Sequence, residues 1–402
     1  MGPHCSRESL IDNGVHQKVR KLQGIKGTMF IVRCYLCLLC LALCLPGSAR
    51  SETFERALPG KHFSFPRDHY SHPEFQTEWW YYTGHLGASD GRSFGYQLTF
   101  FRTGLRRSRS SPSRWSLHTL YFAHFAITDK SRKTFTFREK ISRGALGQAG
   151  AKTDQLRVWV DDWSLAMAGK DHLLEAHDPT MAIRLRMTPL KPPVVNGLDG
   201  VSQKAEGVGY ASHYYSITRM KTLGELTLDG ETLDVGGTSW MDHEFGSNQL
   251  RDYQVGWDWF SLQLDNNREL MLYVIRHRDG NPDPYSSGTL TNPDGTSQHL
   301  RLRDFEISVR KIWESRESGG RYPAEWSIQV PQVNMTLTVT PTVSNQELIT
   351  QESTLVTYWE GSVTASGQFQ GEPLSGVGYV ELTGYADAFE EVNAGMTDQK
   401  QP

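Results

Sequence analysis

At 402 residues the chain exceeds the usual single domain, so length alone predicts two domains with room for a sizeable core. Aromatic residues make up 11% of it, with Gly 37, Trp 11 and Tyr 16, a composition that favours strands and turns over helices. A formal net charge of −3 leaves no electrostatic footprint for nucleic acid and excludes that class of partner.

The N-terminus explains the cysteines. Residues Cys34–Leu45 (CYLCLLCLALCL) form a short apolar run, preceded by Lys18, Arg20, Lys21, Lys26 and Arg33 and followed by Pro46, Gly47, Ser48 and Ala49. This order of basic, apolar and small residues matches a signal peptide, residues 1–49, cut after Ala49, and predicts an exported protein, periplasmic or secreted. An uncleaved membrane anchor is the alternative, disfavoured by the shortness of the run. Met29 begins a tidier signal (MFIVRCYLC), which places 1–28 before the natural start on this reading. Cys5, Cys34, Cys37, Cys40 and Cys44 all precede the cut, so the mature chain is predicted to have no disulfide, thiolate nucleophile or Cys-ligated zinc. Leu43 is too large for the position before an acylated Cys and speaks against a lipid anchor at Cys44. Six of the 42 Lys/Arg and two of the 45 Asp/Glu are removed with 1–49, leaving a mildly acidic mature chain at −7.

Beyond Ala49, short aromatic or β-branched runs alternate with turn signals: WYYTGHL, ASDG, FGYQLTFF; then GELTLDGETLDV; then GTLTNPDGTSQHLRL. Asp-Gly between such runs marks hairpins, because Gly takes positive φ cheaply. The fold class is therefore all-β. Two echoes point to tandem barrels. Residues 79–102 and 257–278 share an aromatic strand, a polar turn, an apolar strand and a closing Arg. Gly237-x-x-Trp240-x-Asp242 recurs as Gly376-x-x-Tyr379-x-Glu381, each after a Gly-Glu turn. Chance likeness between strand-rich segments is the competing reading. The echoes place one barrel at 54–247 and a second at 250–390, with 391–402 a disordered tail.

GGTSWMDHEFGS (236–247) sets Asp242, His243 and Glu244 in a row. On a regular strand Trp240, Asp242 and Glu244 point one way and Met241, His243 and Phe245 the other, so the triplet cannot form one cluster or one metal site. In VGYASHYYSITRM, His213 and Tyr215 share a face at the same spacing as Trp240 and Asp242. Convergence of these four inside a barrel would give an aromatic pocket with one acid, its proton retained by burial. Equally open is an Asp242 that binds buried backbone or an Arg while the aromatics fill the barrel. In FPRDHYSHPEFQTEWWYYTG, His69, His72, Glu74 and Glu78 could hold a metal, but local hydrogen bonding in a Pro-marked segment is the simpler reading. Ser89 in GASDG fits a nucleophile elbow in pattern only, since it falls in a hairpin turn.

Together HPEFQTEWWYYTGHL, ASHYYSITRM, GTSWMDHEFGS, GWDWFSLQL, TYWEGSV and GYVELTGYA resemble the AttH/CrtC family of exported lipocalin-like, carotenoid 1,2-hydratase-like proteins, from about Phe65 to Tyr385. The resemblance implies two tandem lipocalin-like (calycin-type) β-barrel domains and a hydrophobic, isoprenoid or lipid-like ligand. In the hydratase branch a His-x-aromatic pair and an aromatic-x-Asp pair act in adding water to an alkene, and His213 with Tyr215 and Trp240 with Asp242 match them by position. On that model Asp242 is the general acid, Trp240 and Tyr215 face the cation, and His213 handles the water, with no metal or organic cofactor. The AttH-like branch implies instead a non-catalytic carrier working with an ABC-type exporter. One scaffold serves several chemistries, so the substrate is not read from the fold.

Overall fold

Alternation of inward and outward side chains shapes the strand Thr77–Ala88 (TEWWYYTGHLGA): Trp80 and Tyr82 are fully buried on one face, Trp79 and Tyr81 lie on the other. A computed structural model describes residues 53–105, 117–248 and 250–386. The expected signal (1–49) and tail (391–402) lie outside the described residues. From Thr77 to Asn248 the chain forms one antiparallel sheet of 13 strands, and from Gln254 to Leu382 a second of 10.

The first sheet nearly closes on itself. Arg138 reaches Asp178 at 2.8 Å, and Lys140 pairs with Asp162 while standing 4.7 Å over the Trp163 ring. Its interior holds Trp80, Tyr82, Phe94, Leu98, Trp163 and Met241; the second sheet encloses Phe260, Leu272, Trp326, Trp359 and Val380. Each such fully buried side chain contributes about 1.5–3 kcal/mol of hydrophobic stabilisation, so each barrel has a core of its own.

Both echoed Gly-Glu turns are tight hairpins. Asp229 and Gly230 have φ of 52° and 81°, Gln370 and Gly371 of 54° and 88°, the left-handed pair that matches strand twist. Ser89 lies in the turn after Ala88, with no strand-to-helix corner at that position.

A third apolar cluster lies outside both interiors. It joins Tyr81, Tyr214 and Trp240 of the first sheet to Trp259, Tyr273 and Tyr379 of the second. The two echoed segments thus present their outer aromatic faces to each other. Ion pairs fasten the same junction: Glu269 of the second sheet accepts from Lys191 at 2.7 Å and Arg219 at 2.6 Å.

Candidate functional site

Between the two sheets lies a cavity, with about 210 Å³ open to the centre of a water-sized sphere. One buried water needs only ~10–15 Å³ on that measure, so there is room for a sizeable organic molecule. Registry builds its first wall. Asp242 pairs with Ser216 and Tyr81, Tyr81 with Thr99, and Thr99 with His124, so these five stand on one rung across five strands. The second sheet answers with a rung of Trp259, Glu381 and Glu360.

Asp242 is buried and fully engaged. Its Oδ1 accepts from Ser216 Oγ at 2.5 Å and Trp240 Nε1 at 2.7 Å, and its Oδ2 from Tyr214 Oη at 2.6 Å. Trp259 Nε1 donates in turn to Tyr214 Oη at 3.1 Å, which ties the acid to the second barrel. Burial pushes the Asp242 carboxyl up to about 7, against those three donors and with help from the Glu244 charge. Oδ2 accepts a single bond, which leaves it the oxygen with room to carry a proton.

Two more acids face it, neither paired with a cation among the described residues. Glu381 is pushed up to about 7 by burial, against a hydrogen bond from Trp257 Nε1 at 3.1 Å and reinforced by Glu244 and Asp242. Glu360, directly across the strand pair from Glu381, is held well above the carboxylate range by burial and by Glu381; Tyr81 Oη donates to it at 2.6 Å. Glu244 differs, since Lys204 Nζ lies 3.1 Å away. His124 bonds Tyr358 Oη at 2.7 Å and Ser353 Oγ at 2.9 Å, and burial holds it neutral, down to about 3. Asp242, Glu381 and Glu360 can therefore hold and pass protons in a pocket rich in Trp79, Phe101, Phe122, Trp257 and Trp259.

The four expected site residues do not converge. Trp240 and Asp242 stand together, but His213 and Tyr215 lie behind them on the other face of the sheet. Registry is the reason: Ser216 is opposite Asp242, whereas Tyr215 is opposite His243 and His213 opposite Phe245. A one-residue difference in register exchanges the faces. Tyr215 Oη bonds His69 Nδ1 at 2.7 Å inside the first barrel, and His213 Nδ1 donates to the Gly200 carbonyl at 2.7 Å. Tyr214 takes the place foreseen for Tyr215.

His243, Glu78 and His72 offer ligand atoms within 4.8 Å of one another, the one such group found among the described residues. Protein donors already occupy it. Arg102 Nε lies 2.9 Å from Glu78 Oε2, and His72 bridges Asp68 and Glu78 at 3.0 Å each. The arrangement fastens the Pro-marked segment to the first barrel, in line with the hydrogen-bonding reading of that block. In the sequence Glu381 is marked only as the acid of the echo, and Glu360, Tyr81 and Gln97 carry no spacing signal.

The AttH-like family model matches residues 56–385. An AttH structure from Nitrosomonas europaea is 30% identical, covers 83% of this chain and all of its own, and superposes with a TM-score of 0.75. Kievitone hydratase of Fusarium solani subsp. phaseoli is 20% identical over 275 residues, 66% of this chain and 75% of that protein. Dehydratase asqC of Emericella nidulans is 21% identical over 216 residues, 52% of this chain; the match spans 60% of that protein's length. With most of its described length matched, and with a fold shared across the whole of a solved AttH structure, this chain belongs to the AttH-like family.

Proposed function

We propose that the protein adds water to, or removes it from, a carbon–carbon double bond of an apolar molecule held between the barrels. One observation carries this reading: an aromatic cavity receives a buried acid from each barrel, Asp242 and Glu381, both poised near neutrality and neither paired with a cation among the described residues. The similarity to a hydratase and a dehydratase supports the reaction class.

In hydration, Asp242 Oδ2 gives its proton to one alkene carbon, and the C=C electron pair forms the new C–H bond. The adjacent carbon becomes a cation, which the indole faces of Trp257 and Trp259 stabilise by about 0.5–2 kcal/mol each. Water bonds to that carbon, and its surplus proton passes to ionised Glu381. Return of that proton to Asp242 closes the cycle, and dehydration is the same path reversed. The test is incubation with isoprenoid and prenylated alkenes in ¹⁸O-labelled water, read by mass spectrometry. A labelled alcohol that appears with enzyme alone is expected; ligand binding with no labelled product across the panel would replace this reading with the carrier one.

We propose further that the protein works outside the cytoplasm, on the strength of the basic and apolar run before Ala49. N-terminal sequencing of the extracytoplasmic protein should find a start at Arg50, and a start upstream of Cys34 would overturn it.

A further inference from the structure

We infer that Gln97 pairs with a hydroxyl or carbonyl oxygen on the molecule bound between the barrels, which narrows the substrate to apolar alkenes, or their hydrates, that carry a second polar group. This rests on the proposed function and names the substrate class of the same cavity.

Gln97 lies on the strand Ser93–Gly104, whose Tyr96, Leu98 and Phe100 fill the first barrel while Gln97, Thr99 and Phe101 line the cavity. Only 1% of it is exposed. Its Nε2 donates to Thr99 Oγ1 at 2.6 Å, and its Oε1 has no partner. Exchange of the amide oxygen and nitrogen changes nothing essential, because Thr99 then accepts the role of donor and the nitrogen is left alone. A buried amide atom with no partner is costly and rare, and it calls for an explanation. Among the described residues four other side chains share that condition (His118, Asp129, His299 and Trp326), and none of them lines the cavity. The other polar groups of this wall are matched: His124 on both nitrogens, Asp242 on both oxygens, Tyr81 on Glu360. Gln97 borders the cavity while its unpaired atom lies just beneath the cavity wall, so a ligand oxygen that draws the amide outward is the partner within reach.

Registry also sets the spacing. Gln97 pairs with Thr83 and Thr83 with Trp240, the rung next to that of Thr99, Tyr81 and Asp242. Two strand widths and one two-residue step separate the backbones of Gln97 and Asp242 by about 12 Å. The second polar group therefore sits roughly that far from the reacting bond, the reach of a C15 isoprenoid chain rather than of a small enol.

Farnesol and β-farnesene share a C15 skeleton and differ by the hydroxyl. Titrated into the full-length mature protein and followed by quenching of tryptophan fluorescence, the wild type should bind farnesol about 10-fold or more tightly than the hydrocarbon. Gln97→Met, with Gln97→Leu as a second variant should the first misfold, should bring the two affinities within about 2-fold without weakening β-farnesene. A wild type that does not discriminate, or a variant that keeps the wild-type ratio, overturns the role of Gln97. Failure of both probes to bind the wild type overturns the apolar-ligand reading itself.

Discussion

Asp242→Asn should lower turnover of any alkene or alcohol that the wild type accepts by about 10²-fold or more, while the substrate still binds. Asparagine keeps the shape and its oxygen can still accept from Ser216 and Trp240; the transferable proton is gone, and with it the acceptor of the Tyr214 hydroxyl. His243→Gln is the matched control. His243 is the next residue in sequence, yet it faces the opposite side, where its Nε2 meets Glu78 Oε1 at 3.0 Å. Per folded molecule, that change should alter turnover by no more than a few-fold. Initial rates normalised to folded protein by circular dichroism decide the matter. An Asp242→Asn enzyme with wild-type kcat removes Asp242 as the acid; equal losses in both variants would mean that the effect is structural.

The contrast between Asp242 and His243 was legible from strand alternation alone, because side-chain direction within one strand follows from the period of two. The fold class was legible for a related reason: turns such as Asp229-Gly230 announce their hairpins through residues that tolerate positive φ. What alternation cannot supply is the phase between two strands. Spacing groups His213 and Tyr215 with Asp242, but the pairing of Ser216 with Asp242 selects Tyr214 instead. The packing of one barrel on the other was hidden for a stronger reason. Tyr81 donates to Glu360 across 279 residues of sequence, and no local pattern encodes that meeting. The echo did preserve a trace of it, since Trp240-x-Asp242 and Tyr379-x-Glu381 end up on walls of the same junction. Gln97 left none, because an unpaired amide is a property of the assembled cavity.

The buried acids should also make stability fall as pH rises, and the sign follows from linkage. Asp242 moves from an ordinary 3.8, and Glu381 from 4.5, to about 7 in the folded protein. Between about pH 4 and 7 the folded state therefore binds more protons than the unfolded one, so acid favours folding over that window. The stabilisation is complete below the unfolded values and is lost as pH climbs through 7. Order-of-magnitude ceilings are about 4 kcal/mol for Asp242 and about 3 kcal/mol for Glu381, less than additive because the two charges repel each other. Other groups pull the opposite way: Glu78, held far down by Arg102, His243 and His72 despite its burial, and Asp68, held down by His72, Ser64 and Lys61, favour folding at higher pH. The useful quantity is therefore a difference. In the double variant Asp242→Asn, Glu381→Gln both acids are replaced by neutral amides, while Glu78, Asp68, Glu360 and the Lys204–Glu244 pair are retained. Urea unfolding of variant and wild type from pH 4 to pH 8 should show the variant gaining several kcal/mol relative to the wild type across the window, with the midpoint of the gain between pH 5 and 7. A flat difference would mean that both carboxyls ionise as freely in the folded protein as in water, and neither Asp242 nor Glu381 would then hold a proton to give an alkene.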